Sequence, residues 1–189
     1  MFTDSNRRGF LSGGLVAAAT AVAAGWARAR GIAPAGAGPE DRLKELGITL
    51  PEPPNPVATY VTARVSGNTL YISGHGPAAI DGVKPGKVGA ELSIEEGQLA
   101  ARATALNVLA TIRNELGSLD RVVQLLRTFG MVNAAPDFTQ QPQVINGYSN
   151  LMVEIFGEMA GKGVRAAVGM GSLPSNIAVE IESIWEIRA

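Results

Sequence analysis

The run Ala178-Val-Glu-Ile-Glu-Ser-Ile-Trp-Glu-Ile187, expected as a strand over its whole length, constrains this chain more than any other segment. Val179, Ile181, Ile184 and Trp185 interleave with Glu180, Glu182 and Glu186, close to the two-residue period of a strand with one face in a core. Val164–Met170, apolar and Gly-bearing, predicts a strand before it. Tyr60–Val65 and Thr69–Ser73 flank Ser66-Gly67-Asn68, a turn whose Gly and Asn tolerate positive φ, and predict a hairpin. Arg121–Val132 reads as a central strand, and Ile80–Ala90 as a loop.

Two helices separate these strands. Ser93-Ile-Glu-Glu96 is a capping box, in which serine and glutamate each satisfy one of the other's backbone amides. Leu99, Ala103, Leu106, Leu109, Ala110 and Ile112 follow at helical spacing, and Gly117 is a natural stop. A second helix is expected from near Pro142, with Val144, Tyr148, Leu151 and Ile155 on one stripe and Gly157 at its end. The order β-β-α-β-α-β-β predicts a two-layer α+β domain over residues 57–189, with two helices on one face of a single sheet. No further helix remains to cover the other face, so association with further copies is expected.

Residues 1–35 read as an address. Arg7-Arg8 precedes Phe10-Leu11, and Gly9 to Ala27 are nineteen residues without charge. Ala, Gly, Ser and Thr dominate that span, so it suits a transient export signal better than a permanent membrane anchor. Ala27-Arg-Ala29 and Ala33-Pro-Ala35 are small-x-small cleavage patterns. The arrangement resembles a twin-arginine signal, which implies export of the folded protein to the bacterial periplasm. Residues 36–56, rich in Pro and Gly, read as a lead-in strap with a short Arg42–Leu46 segment.

Composition then excludes several classes. The chain has no cysteine and one histidine, so disulfide scaffolds, Cys nucleophiles and Cys- or poly-His-ligated metals are out, and no cofactor motif is present. Removing residues 1–35 takes four arginines and one aspartate from 16 basic and 17 acidic residues, leaving 12 against 16, a net charge of −4. That balance argues against nucleic acid as a partner.

Six residues are candidates for chemistry. Arg165 opens an apolar strand, where its planar fork can grip a carboxylate or simply pair with a surface acid. Glu180 and Glu182 share a strand face and can hold or deprotonate a water, or form a solvated face. His75 sits between two glycines, either as an acid or base or as a loop histidine making one hydrogen bond. Ser73 and Ser172 lie outside any G-x-S-x-G elbow, so a serine hydrolase finds weak support.

Tyr60 with Gly67-Asn68-x-Leu-Tyr-Ile-Ser-Gly74, then Arg165 separated by seven residues from Leu173-Pro174, then Val179-Glu-Ile-Glu182, resembles the RidA/YjgF family over roughly residues 55–188. The resemblance implies the chorismate-mutase-like fold and a homotrimer with clefts between subunits. It implies hydrolysis of 2-imino acids and their enamine tautomers to 2-keto acids and ammonia, without metal or cofactor. Arg165 then stands where the family grips the substrate carboxylate, and Glu180 where it orders the attacking water. Tyr60, Ser73, His75 and Asn146 fall at the cleft as substrate-binding positions. His75 replaces the more usual Gln, Ala167 stands where many members have Cys, and the stretch from Tyr148 to Arg165 is a few residues longer. A non-catalytic small-carboxylate-binding trimer is the alternative. A ribonuclease, the older name for the family, is disfavoured by the acidic charge, and a chorismate mutase would rest on fold analogy alone.

Overall fold

The structure is a computed structural model that describes residues 38–188; the twin-arginine segment lies outside the described residues. The lead-in is not all strap. Pro39–Glu45 forms a helix, α1, with proline in its first turn, Glu40 and Asp41 at its positive end and Arg42 and Lys44 at its negative end. Leu43 is its buried anchor. Glu40 accepts from Arg113 Nε and Nη2 at 3.0 and 2.6 Å and from the Leu119 amide at 2.9 Å. Arg42 Nε donates to the Glu154 carbonyl at 3.0 Å. Seven residues with one apolar anchor carry no periodicity, and tertiary contacts supply the stability instead.

The hairpin pairs β1 (Ala63–Ser66) with β2 (Thr69–His75) across a two-residue Gly67-Asn68 turn, Gly67 taking a positive φ of 59°. Helix α2 (Ile94–Leu116) starts on the expected capping box, with Glu96 N to Ser93 Oγ at 3.2 Å and Ser93 N to Glu96 Oε2 at 2.9 Å, and ends at Gly117. Strand β3 (Val122–Asn133) leads into α3 (Gln141–Gly161), which breaks at Gly157 and resumes for one further turn rather than ending there. Strands β4 (Val164–Met170) and β5 (Val179–Ile187) complete the chain. Helix α3 crosses α2 at Gly147, where a Cβ would overlap the Gln98 backbone, 2.8 Å from its carbonyl carbon.

The five strands form one mixed sheet in the order β1-β2-β5-β3-β4, parallel only between β3 and β4. Helices α2 and α3 pack on it, and α1 lies against α3, so the domain has three helices rather than two. In β5, Val179, Ile181, Ser183, Trp185 and Ile187 are buried and the residues between them half-buried. Ile184 therefore shares the face of the glutamates, not the core. Trp185 Nε1 donates to Ser183 Oγ at 2.8 Å, and its ring meets Phe156 at 5.3 Å. The far face carries Tyr71, Phe129 and Ile184, with Arg127 5.3 Å over the Phe129 ring. Among the described residues no helix is long and apolar enough to cross a membrane, and no cluster suits a metal ion.

Candidate functional site

Arg165 sits on edge strand β4, opposite Thr128. Its side chain reaches over α3, donating Nη1 to Asn146 Oδ1 at 3.0 Å and Ser149 Oγ at 2.9 Å, and Nη2 to the Pro142 carbonyl at 3.3 Å. Pro142, Asn146 and Ser149 are spaced four and three residues apart and so share one helix face. No carboxylate among the described residues pairs with this guanidinium, and burial alone acts on its pKa, pulling it down. Three of its five N–H groups are engaged. Nε–H and one Nη2–H remain, the same edge through which Arg113 grips the Glu40 carboxylate in this protein. Asn146 therefore does lie beside Arg165. Ser149 is absent from the sequence reading, where its one signal is the three-residue spacing from Asn146.

Glu180 lies on β5, half-buried and facing away from the helices. Its carboxylate covers Gly74, whose lack of a side chain makes room for it. Burial first, and the charge of Glu182 second, raise its pKa above the ordinary carboxyl value. Beside it the β2–β5 register shifts between Ile72 and His75, a bulge that contains Ser73 and Gly74. Ser73 donates its amide to the Thr62 carbonyl at 3.0 Å, and its hydroxyl is buried without a protein partner. Next to it is a hollow of about 250 Å³ lined by Val61, Arg64, Tyr71, Ser73, Glu182 and Ile184. Tyr60, exposed, stands just ahead of β1, its hydroxyl accepting from the Val57 amide at 3.4 Å.

These residues form two groups rather than one. Arg165, Asn146 and Ser149 occupy the β4 edge on the helix side. Tyr60, Ser73 and Glu180 occupy the β1-β2-β5 half of the sheet, with Glu180 on the opposite face. Four strand steps separate β1 from β4, on the order of 19 Å. A single chain cannot close Tyr60 and Arg165 around one small molecule. His75 belongs to neither group. It is 3% exposed on the helix side, with Nδ1 2.8 Å from the Ser73 carbonyl and Nε2 2.9 Å from Thr111 Oγ1. The bulge turns it inward, where strict alternation would have left it on the face of Tyr71.

Residues 40–181 match the family described as "YjgF/chorismate mutase-like, putative endoribonuclease". Protein TCP17 of Trypanosoma cruzi is 42% identical over 147 residues, which cover 77% of this chain and 92% of that protein. The crystal structure of Atu1372 from Agrobacterium tumefaciens, a protein of unknown function, is 43% identical, covers 79% of this chain and 92% of its own, and superposes with a TM-score of 0.72. A "putative endoribonuclease" from Shewanella oneidensis is 31% identical, covers 80% of this chain and all of its own, and superposes with a TM-score of 0.75. The chain belongs to the YjgF/chorismate-mutase-like family.

Proposed function

We propose that this family member hydrolyses 2-imino acids, or their enamine tautomers, in clefts built between copies of the chain. The observation that carries the reading is Arg165: a guanidinium held by three neutral acceptors, with its carboxylate-gripping edge unpaired. Substrate carboxylate binds that edge bidentately, which fixes the position of the adjoining imine carbon. The carbon is already electrophilic, so one oriented water suffices. Glu180, from the neighbouring copy's open sheet face, accepts a proton from that water as its oxygen bonds to carbon. The C=N electron pair moves to nitrogen, which takes the proton from Glu180 to complete the carbinolamine; the carbinolamine hydroxyl then passes its proton through Glu180 to the nitrogen as the C–N bond breaks, releasing ammonia and forming the C=O of the 2-keto acid. One water is consumed, and no redox partner is needed.

Two features support assembly from several copies, a trimer in this reading. The two residue groups lie on opposite parts of the sheet, and Tyr71 and Ile184 lie on its helix-free face. A fold neighbour, Escherichia coli TdcF, was crystallised with bound serine, a small α-amino carboxylate; it is 23% identical with a TM-score of 0.51. The test is ammonia release from 2-aminoacrylate generated in situ. Wild type should accelerate it and Arg165→Ala should abolish the acceleration while remaining folded. An unchanged release rate with wild type overturns the hydrolase. Saturable, Arg165-dependent binding of 2-keto acids without turnover would instead make the protein a carboxylate binder.

A further inference from the structure

A bulge leaves a strand carbonyl without its ladder partner, and a buried carbonyl needs one. In this chain the Ser73 carbonyl finds it two residues on, in the His75 ring. A carbonyl only accepts, so Nδ1 carries the hydrogen. In the neutral ring Nε2 is then a lone pair, and the Thr111 hydroxyl of α2 donates to it. The same stretch is tied to α2 twice more, by Asn107 Nδ2 to the Gly76 carbonyl at 3.1 Å and Ala78 N to the Ala103 carbonyl at 3.2 Å. On the other face of that bulge, Glu180 lies over Gly74.

We infer that His75 is a positioning residue: as the Nδ1–H tautomer, braced by Thr111, it holds the Ser73–Gly74 bulge in the shape that receives the Glu180 carboxylate and any ligand beside it. It touches no substrate and acts through the backbone of Ser73. Its effect on ligand binding rests on the reading that this bulge is half of the site, whereas its effect on the bulge does not.

The experiment therefore has a ligand-free arm and a ligand arm, both on the full chain. Ring nitrogen NMR should show the Nδ1–H tautomer; the Nε2–H tautomer overturns the inference. His75→Leu should speed hydrogen exchange at the Ser73 amide, which bonds the Thr62 carbonyl at the bulge, by about tenfold, one lost hydrogen bond's worth, while Gly67 in the turn is unmoved. His75→Gln, which offers an N–H to Ser73 and an oxygen to Thr111, should restore protection. If His75→Leu does not fold, Thr111→Val, which removes only the brace, should give a smaller acceleration of the same amide. Unchanged Ser73 amide exchange in the variant that folds overturns the inference. In the ligand arm, pyruvate affinity by calorimetry should fall about tenfold in the Leu variant and recover in the Gln variant. Absence of pyruvate binding by wild type counts against the proposed function, and the NMR arm still decides the role of His75.

Discussion

The Glu180 carboxylate lies directly over Gly74, so close that a Cβ at residue 74 would meet Glu180 Cδ at 2.9 Å and overlap Oε1. The obstacle is the far end of a flexible side chain, so Gly74→Ala should cost little stability. Glu180 must swing aside, however, and displacement of a reacting group by about 1 Å costs on the order of 100-fold in rate. Gly74→Ala is expected to lower imine hydrolysis by that order while its denaturation midpoint stays near wild type. Normal turnover in the variant would remove Glu180 from the mechanism.

The pH dependence of the same reaction follows from the neighbouring carboxylate. Glu180 must be ionised to take a proton from water, and burial together with Glu182 raises its pKa. Activity should therefore fall on acidification at a pH above the ordinary carboxyl range. Glu182→Gln removes the repulsive charge and is expected to move that acid limb to lower pH. For stability the sign is opposite: the folded state holds the Glu180 proton more tightly, so this group's contribution declines as pH rises through its folded pKa. Rate profiles of the two proteins between pH 4 and 8, on the order of the carboxyl and imidazole ranges, make the comparison.

Both carboxylates are legible in the sequence because β5 alternates so regularly, and the bounds of β4 are as expected because its apolar run has glycines on either side. Other features escape the pattern for physical reasons. A single bulge between Ile72 and His75 reverses which face His75 takes, and period-two reasoning does not register an extra residue. Ser149 carries no hydrophobic signal, and its three-residue spacing from Asn146 points to Arg165 only once α3 is laid against the sheet edge. Helix α1 is only seven residues long, and contacts distant in sequence, Glu40 to Arg113, Arg42 to the Glu154 carbonyl and the burial of Leu43, show why it forms. The separation of Arg165 from Glu180 is a property of strand order, which local pattern does not encode.

That Glu40 contact makes a prediction about acid stability. Burial works to raise its pKa, but hydrogen bonds from Arg113 and the Leu119 amide, with the attraction of Arg113 and Lys44, outweigh it and the net shift is downward. A depressed carboxyl contributes stability that is present above its unfolded pKa, near the ordinary carboxyl value of 4.5, and lost as pH falls through the lower folded value. Glu40→Gln should cost roughly 1–2 kcal/mol at neutral pH, because the pair is only partly buried. The difference from wild type should shrink below pH ~4.5 in urea melts. A constant difference across the acid range would mean that the helix, not the charge, was lost.

Export has a separate test. Changing Arg7 and Arg8 to Lys preserves charge but not the twin-arginine pattern, and a folded reporter fused to residues 1–35 should then stay in the cytoplasm. Unaltered periplasmic delivery would overturn the assignment.

The helix crossing gives the sharpest test of the fold. At Gly147 a Cβ would overlap the Gln98 carbonyl oxygen and stand 3.0 Å from Gln98 Cα, and backbone, unlike the end of a side chain, cannot turn aside. Gln98 Nε2 also bonds the Gln143 carbonyl at 2.9 Å across the same crossing, so any separation of α2 from α3 strains that bond as well. Gly147→Ala should therefore destabilise by about 1–3 kcal/mol, the usual cost of overpacking, despite alanine's better helix propensity. The residue lies next to Asn146, so prising the helices apart also moves one of the acceptors that hold Arg165. Loss of stability in urea melts together with weaker pyruvate binding is the expected pair of results. A variant as stable as wild type would show that α2 and α3 do not meet at this glycine.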